Sequence, residues 1–464
     1  MSVEAPEVAS PRVRADNCLS SAGTWALLGV LTLMLAVNLP ELGSNPWPFR
    51  PPSVDAQGPL GPLVRAAGRE WDVGIARAAT LLAMLLVAGA GVLVWRRRQV
   101  PRNAAVALVV VVGLMLLLPS TLLQLGLRDS TRPWFFTNDS TYQIEVGGDL
   151  LRHGHNPYGH DYRSSGLERF YTFDGTRSQR VLDREVALDH YAYFPGTVIT
   201  AAAWRLLPAP FDDYRLFILL CTLASFFAAL AFRAPLGWRL ALGAVILANP
   251  IAVRSAWFGQ NDAPSILLLV LAFALVTRRR WGWAAASLAG AVLLKQFAIV
   301  ALPFIAVILV KQGATRPELR RAAGVFAGVV AAGVLPFLLW DPSAFWADTV
   351  KYGAGTYKIV GYGLSAILVR IGIIGDREGA YPFALFALVL WLPLTVWLLV
   401  AQWRARELWL GAAGFAISIL ALMFIGRTFN NYYVLWPLMG ATIAALMAGG
   451  EMAAGRSPPG RGPL

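Results

Sequence analysis

Residues 104–142 read AAVALVVVVGLMLLLPSTLLQLGL and then RDSTRPWFFTNDSTY. The first string carries no charge and is long enough, as a helix rising about 1.5 Å per residue, to cross a hydrocarbon core about 30 Å thick. The second is polar, aromatic and charged from its first residue. It opens a segment, Arg128 to Pro195, that holds ten carboxylates, twelve aromatic residues and all four histidines of the chain, His153, His155, His160 and His190. A chain that only spans a bilayer needs no such segment. Chemistry at a membrane surface does.

Working outward, apolar runs of this kind recur. The chain has 464 residues, 57% hydrophobic and 14% charged, with a mean hydropathy of +0.55, outside the ordinary soluble range. Apolar segments fall at 24–39, 75–95, 103–126, 214–232, 236–252, 263–277, 281–294, 296–310, 322–340, 381–402, 408–426 and 432–449, with a half-span at 196–207. The expected fold is an all-α polytopic integral membrane protein with about 12 transmembrane helices and large extracytoplasmic loops. Residues 1–20 and 450–464 read as disordered cytoplasmic tails. Residues 21–102 read as two helices joined by a Pro/Gly-rich loop at 40–72. Residues 103–449 form the main module, with large outer loops at 128–213 and 341–380.

The net charge of +13 raises nucleic acid as a partner, but its distribution argues against one. With the N-terminus placed in the cytoplasm, the inward side carries nineteen basic and six acidic residues, an excess equal to the whole net charge, and the remainder balances. That is the positive-inside pattern. It sets the orientation, puts 128–195 outside, and points to the plasma (inner) membrane. Cys18 and Cys221 are too few for a disulfide framework. No small-residue cleavage site follows the first apolar run before Pro40, so that run reads as an uncleaved anchor.

Two segments break the spanning pattern. Trp281 to Val310 runs between two basic clusters yet is too short for two full crossings, which predicts a tight hairpin with Lys295-Gln296 at its turn. Gly361 to Ile374 is apolar but short, and reads as a re-entrant or surface helix.

Within the first outer loop, Thr137-Asn138-Asp139-Ser140-Thr141-Tyr142 leads into a stretch whose spacing from Asp139 to Leu151 predicts an amphipathic helix along the membrane surface. Asn156-Pro157-Tyr158 then reads as the turn that stops it. His190-Tyr191-Ala192-Tyr193-Phe194-Pro195 returns the chain to the bilayer. An acid at the end of a spanning helix is commonly a cap, and Asp139 has that bland reading beside a catalytic one; Asp149, Asp161 and Asp189 are the other acids in reach. Lys295 is the only charge deep within the apolar segments, where insertion costs about 2.5–3.5 kcal/mol, so it either snorkels or serves a polar cavity. Arg427 opens Arg427-Thr428-Phe429-Asn430-Asn431-Tyr432 before the last span, as an anchor or as an anion ligand. Lys351 and Lys358 flank a glycine-containing turn. Gln260, Asn261 and Asp262 are either helix caps or hydrogen-bonding groups for a polar ligand. The histidines follow no zinc spacing.

Asp, Tyr, a surface helix, Gly-x-Asn-Pro-Tyr and an aromatic-Pro return, followed by Phe258-Gly259-Gln260-Asn261-Asp262, Lys295 and Tyr432-Tyr433, together resemble the polyprenol-phosphate-sugar-dependent glycosyltransferases of the C-type fold. Within these the pattern is most similar to the bacterial α-mannosyltransferases that use polyprenyl-phosphate-mannose. The resemblance covers roughly 103–449. It implies transfer of a monosaccharide, mannose first, from a polyprenyl-phosphate carrier to a lipid-anchored glycan on the extracytoplasmic face, inverting and independent of metal or other cofactor. It implies Asp139 as general base. Lys295, Arg427, Lys351, Lys358 and His190 are the cations to bind the donor phosphate, and Tyr142, Asn156, Tyr158, Gln260, Asn261 and Asp262 the groups for sugar or acceptor. The resemblance also predicts a phosphate-contacting histidine in a later outer loop. This chain has none after His190, so Arg427, Lys351 or His190 takes its place or the subfamily differs.

Arabinofuranosyl transfer from polyprenyl-phosphate-arabinose is the alternative within this class. A flippase or transporter of lipid-linked sugars, or a polymer ligase, is the alternative outside it. A transporter needs ionisable groups inside its helices, and beyond Lys295 there are almost none.

Overall fold

The computed structural model describes residues 18–41, 56–66, 74–97, 100–130, 137–171, 186–356 and 358–455. Most of the expected loop 40–72, and both tails beyond Cys18 and Gly455, lie outside the described residues.

The described residues are mostly helical. Helices α1 (Ser21–Glu41), α2 (Gly61–Ala66), α3 (Gly74–Arg97) and α4 (Arg102–Asp129) come first. A two-residue antiparallel bridge, Cys18–Leu19 with Val100–Pro101, ties the start of α1 to the start of α4. Helix α5 (Asp139–Arg152) and the short α6 (Pro195–Trp204) carry the polar segment. Then follow α7 (Tyr214–Leu230), α8 (Leu236–Ala248), α9 (Pro250–Phe258), α10 (Ala263–Thr277) and α11 (Trp281–Leu294). A 3₁₀ turn, Gln296–Val300, leads into α12 (Ala301–Lys311), and α13 (Arg316–Trp340) is opened by a Thr315–Glu318 capping box. Helix α14 (Pro342–Trp346) widens into π-helical turns over Ala347–Thr356. The last elements are α15 (Leu364–Arg370), α16 (Phe383–Arg404, with π-helical turns at Ala387–Trp391), α17 (Trp409–Phe424) and α18 (Leu435–Ala453). A parallel bridge, Val360–Gly361 with Thr428–Phe429, joins the chain before α15 to the chain before α18.

Each of the twelve apolar segments coincides with helical structure, and the helices differ in length. Six helical stretches are long and apolar enough to cross a membrane: Ser21–Leu39, Ala76–Arg96, Arg102–Asp129, Arg316–Trp340, Phe383–Arg404 and Asn431–Ala453. Helices α8 and α9, bent by 43°, make a seventh if taken as one. The bend has a local cause: Pro250 has no N–H to give, and Asn249 Oδ1 accepts from Ala252 N at 2.9 Å and starts a new helix. The five remaining apolar helices have 10–17 residues, at most about 25 Å of rise against a core of about 30 Å. Hydropathy counts apolar residues and is blind to where a helix stops.

The expected hairpin at Lys295 is observed: its two arms close at their far ends, where Trp281 Nε1 donates to Gln312 Oε1 at 3.1 Å. The helix does break there, with Lys295 extended at φ −153° and ψ 114°. The arms then pack on different neighbours, α11 against α10 and α13, α12 against α16 and α17. Around them a core forms from Phe273, Phe304, Phe415 and Trp436. A second core, including Leu31, Leu116, Leu240 and Trp257, packs α1 and α3 onto α4, α8 and α9. A third, aromatic cluster of Tyr142, Tyr158, Tyr162, Tyr191, Phe337 and Phe345 holds the polar segment down on α13 and α14.

Candidate active site

A cavity of about 520 Å³ opens where helix ends meet: the start of α5, the start of α10, the end of α11, and the chain between α17 and α18. Residues 192–194 and the π-helical turns after α14 complete its wall.

Asp139 stands on one side. The helix it begins is capped by its neighbour: Asn138 Oδ1 accepts from Ser140 N at 2.8 Å and Thr141 N at 3.2 Å. The bland reading of Asp139 is therefore taken up by Asn138. Asp139 Oδ1 accepts from Ser140 N at 2.8 Å, and Oδ2 lies 3.5 Å from Tyr171 Oη, long for an O–H···O bond. Among the described residues no cation pairs with it at bonding distance. Burial pushes its proton affinity up, opposed by the Ser140 N–H, Tyr171 and the more distant charge of Lys358.

Two devices hold α5 in place. Thr141 Oγ1 donates to Gly259 O, and Gly259 sits at φ +93°, where a Cβ would lie 2.4 Å from Thr141 Oγ1. Beneath, Arg128 bridges Glu145 at 2.5 Å and Asp213 at 2.6 Å, and Asp213 also pairs with Arg215 at 2.6 Å. These four buried charges join the end of α4, the middle of α5 and the start of α7. Removing one would strand the others, a cost of about 3–5 kcal/mol.

The opposite side is built on Lys295. Its Nζ donates to Asn261 Oδ1 at 3.0 Å and pairs with Asp262 Oδ1 at 3.3 Å; Asp262 Oδ1 also accepts from Trp436 Nε1 at 2.9 Å. The rings of Tyr193 and Phe297 lie 5.6 and 5.9 Å from the ammonium. Lys295 is thus a paired cation on a polar wall, not a snorkelling one. Gly196 makes the approach possible: a Cβ there would meet Leu293 O at 2.6 Å, so the start of α6 lies directly on the last turn of α11.

The third side is a clasp. Asp348, 1% exposed, accepts from Gly159 N at 2.8 Å, Tyr191 N at 3.0 Å and His190 Nδ1 at 2.7 Å. The His190 ring packs on Tyr352, 4.7 Å between centroids. One carboxylate so ties 159–191 to the turns that bring Thr349, Val350 and Tyr352 to the cavity. Arg427, 5% exposed, lines the cavity and donates to Gly379 O at 3.2 Å.

Of the candidates drawn from sequence, Asp139, Gln260, Asn261, Asp262, Lys295 and Arg427 share this cavity. Lys358 stands just behind its wall, 5.8 Å from the Tyr171 ring. Tyr142, Asn156, Tyr158, His190 and Lys351 do not line it. Tyr142 Oη donates to Ser165 O, Asn156 Oδ1 accepts from Tyr158 N as in an Asx turn, Tyr158 Oη donates to Tyr193 O, and Lys351 is exposed. The rival acids are engaged elsewhere: Asp149 with Arg152 and Arg205, Asp161 and Asp189 with Arg163. Tyr171, Tyr193, Tyr352, Asn430 and Tyr432 line the cavity and were not among the candidates. For Tyr193 and Tyr432 the signal was present, as aromatic pairs beside a return to the apolar bundle; for Tyr171 and Tyr352 the sequence carries none.

A family model, glycosyltransferase family 87, matches residues 191–426. The match takes in the Tyr193, Gln260–Asp262 and Lys295 walls; Asp139 lies before it and Arg427 one residue beyond. No curated protein and no solved structure matches the chain. Because the matched segment covers just over half of the 464 residues, and the whole is a multi-pass helical bundle, the chain belongs to glycosyltransferase family 87 and is a membrane glycosyltransferase.

Proposed function

We propose that the cavity transfers a monosaccharide, mannose in the first instance, from a polyprenyl-phosphate carrier to a lipid-anchored glycan, on the extracytoplasmic face of the plasma membrane. The observation that carries this reading is the cavity's asymmetry: one side has a carboxylate with no cation at bonding distance among the described residues, and the other has Lys295 and Arg427. Asp139 is the base. It takes the proton of the attacking acceptor hydroxyl as the new O–C1 bond forms. The C1–O bond to phosphate breaks with its electron pair, so a phosphodiester monoanion departs as a phosphate monoester dianion. Lys295 has three N–H donors; Asn261 and Asp262 engage two, and the third, with Arg427, meets the growing charge. A single base and no opposing nucleophile correspond to one displacement with inversion. Asp262 is engaged by Lys295 and the Trp436 indole and so organises the wall rather than meeting the acceptor. The orientation is supported by the basic bias of the opposite ends of the helices.

The test supplies purified protein in lipid nanodiscs with labelled polyprenyl-phosphate-mannose and, separately, labelled polyprenyl-phosphate-arabinofuranose. Label appearing in an acceptor from the mannosyl donor, and lost in Asp139→Asn, supports the reading. Transfer from the arabinofuranosyl donor alone reassigns the sugar. Movement of label across vesicles with no new glycosidic bond rejects the activity.

A further inference from the structure

Consecutive residues on the wall facing Asp139 leave polar atoms unsatisfied. Gln260 and Asn261 are 7% and 3% exposed and both line the cavity. Gln260 Oε1 accepts from Ser255 Oγ at 2.8 Å, and its Nε2 has no partner among the described residues. Asn261 Oδ1 accepts from Lys295 at 3.0 Å, while Nδ2 is buried with no acceptor among the described residues. The orientation of the Asn261 amide is not arbitrary. A lysine ammonium only donates, so the carbonyl oxygen must face it and the NH₂ must face away. Asp262 engages Trp436 and Lys295 through Oδ1, and no described group donates to Oδ2. Two amide donors and one carboxylate oxygen are therefore left together on one short loop. A buried N–H without a partner costs about 1–3 kcal/mol, and a native site that keeps one is built for something that arrives.

Resting on the function proposed above, we propose that Gln260 and Asn261 read two adjacent hydroxyl oxygens of the transferred sugar. Asn261 takes the hydroxyl on the carbon next to the anomeric centre. Hydroxyls suit this loop because each can accept from an amide N–H and donate to a carboxylate oxygen; a second anion would be repelled by Asp262. The position follows from Lys295. If its remaining N–H holds the donor phosphate, the anomeric carbon is one bond beyond a phosphate oxygen, and its neighbour's hydroxyl is the one nearest Asn261. A hydrogen bond at that hydroxyl also strengthens as positive charge develops on the ring.

The measurement is kcat/KM of wild type, Asn261→Ala and Gln260→Ala with polyprenyl-phosphate-mannose and with its 2-deoxy analogue. Asn261→Ala is expected to lose about tenfold with the natural donor, the worth of one hydrogen bond, and little or nothing with the 2-deoxy donor. Gln260→Ala should lose a similar factor with both. Equal losses of Asn261→Ala on the two donors would overturn the proposal, because a structural defect ignores the substrate. Should Asn261→Ala fail to insert, wild type is compared on 2-, 3-, 4- and 6-deoxy donors. The largest loss at the 2-position supports the assignment, and a loss there no greater than elsewhere rejects it. Wild type inactive with the intact donor rejects the underlying function, which is a different result from active wild type with no 2-hydroxyl dependence.

Discussion

Asp139 and Asp262 line the same cavity, yet their surroundings treat them in opposite ways. Asp262 is 1% exposed and held by Lys295 at 3.3 Å and the Trp436 indole at 2.9 Å. Asp139 is half-buried, has a backbone N–H and a distant phenol, and has its proton affinity raised by burial. The difference separates a carboxylate that organises a wall from one available to take a proton. Identity and location alone would not tell them apart; partners do.

The comparison can be broken most directly at Asp139. Asp139→Asn should lower kcat by a factor of about 10²–10⁴, the usual worth of a positioned base, with the thermal midpoint unchanged, because Asn138 and not Asp139 caps α5. A variant that turns over like wild type would falsify the assignment. Asp262→Asn should do the reverse in kind. It leaves the Lys295 ammonium buried without its counter-charge, and about 3 kcal/mol of stability should be lost. Adding Lys295→Met to Asp262→Asn should recover much of that stability in a thermal melt and none of the activity, since the cation is gone with the pair. If the double variant is as unstable as the single, the pairing is not what holds that wall.

The pH profile sharpens the same contrast. A base works as its anion, so activity is full above the folded carboxyl's pKa and falls as pH drops through it. Burial raises that value for Asp139, so the acid limb of log kcat/KM should lie above the ordinary carboxylate range near 3.8. A limb at or below that range points to a different titrating group. The smallest effect is expected at the clasp. Asp348→Asn keeps an oxygen in the place of Oδ2 for both Gly159 and Tyr191 but loses the carboxylate oxygen at His190. KM for the donor should rise by about tenfold with kcat nearly unchanged, because the turns carrying Thr349 and Tyr352 are displaced while Asp139 is not. An equal fall in kcat would show that the clasp supports the base as well.

Much of this was legible locally. The helix was readable from the spacing after Asp139, and it is observed as Asp139–Arg152; that Asn138 and not Asp139 caps it was not read from the sequence. The break at Lys295 followed from a charge between two apolar runs. Local rules work there because capping and burial act over one or two turns. The number of crossings was less legible: five of the apolar helices have 10–17 residues. Proline, asparagine caps and the break at Lys295 end them while the composition stays apolar. Tyr142, Asn156 and Tyr158 sat in the right motif, yet their polar atoms satisfy the loop's own backbone.

Sequence alone determined that this chain lives in a membrane and that a polar, acid-rich and aromatic segment follows the 104–127 helix, because hydropathy and composition are properties of neighbours along the chain. Only the tertiary structure decided which charges cancel. Lys295 meets Asn261 and Asp262 more than thirty positions away, and His190 meets Asp348 across 158. Electrostatic pairing depends on distance in space, and no local pattern records which acid meets a cation.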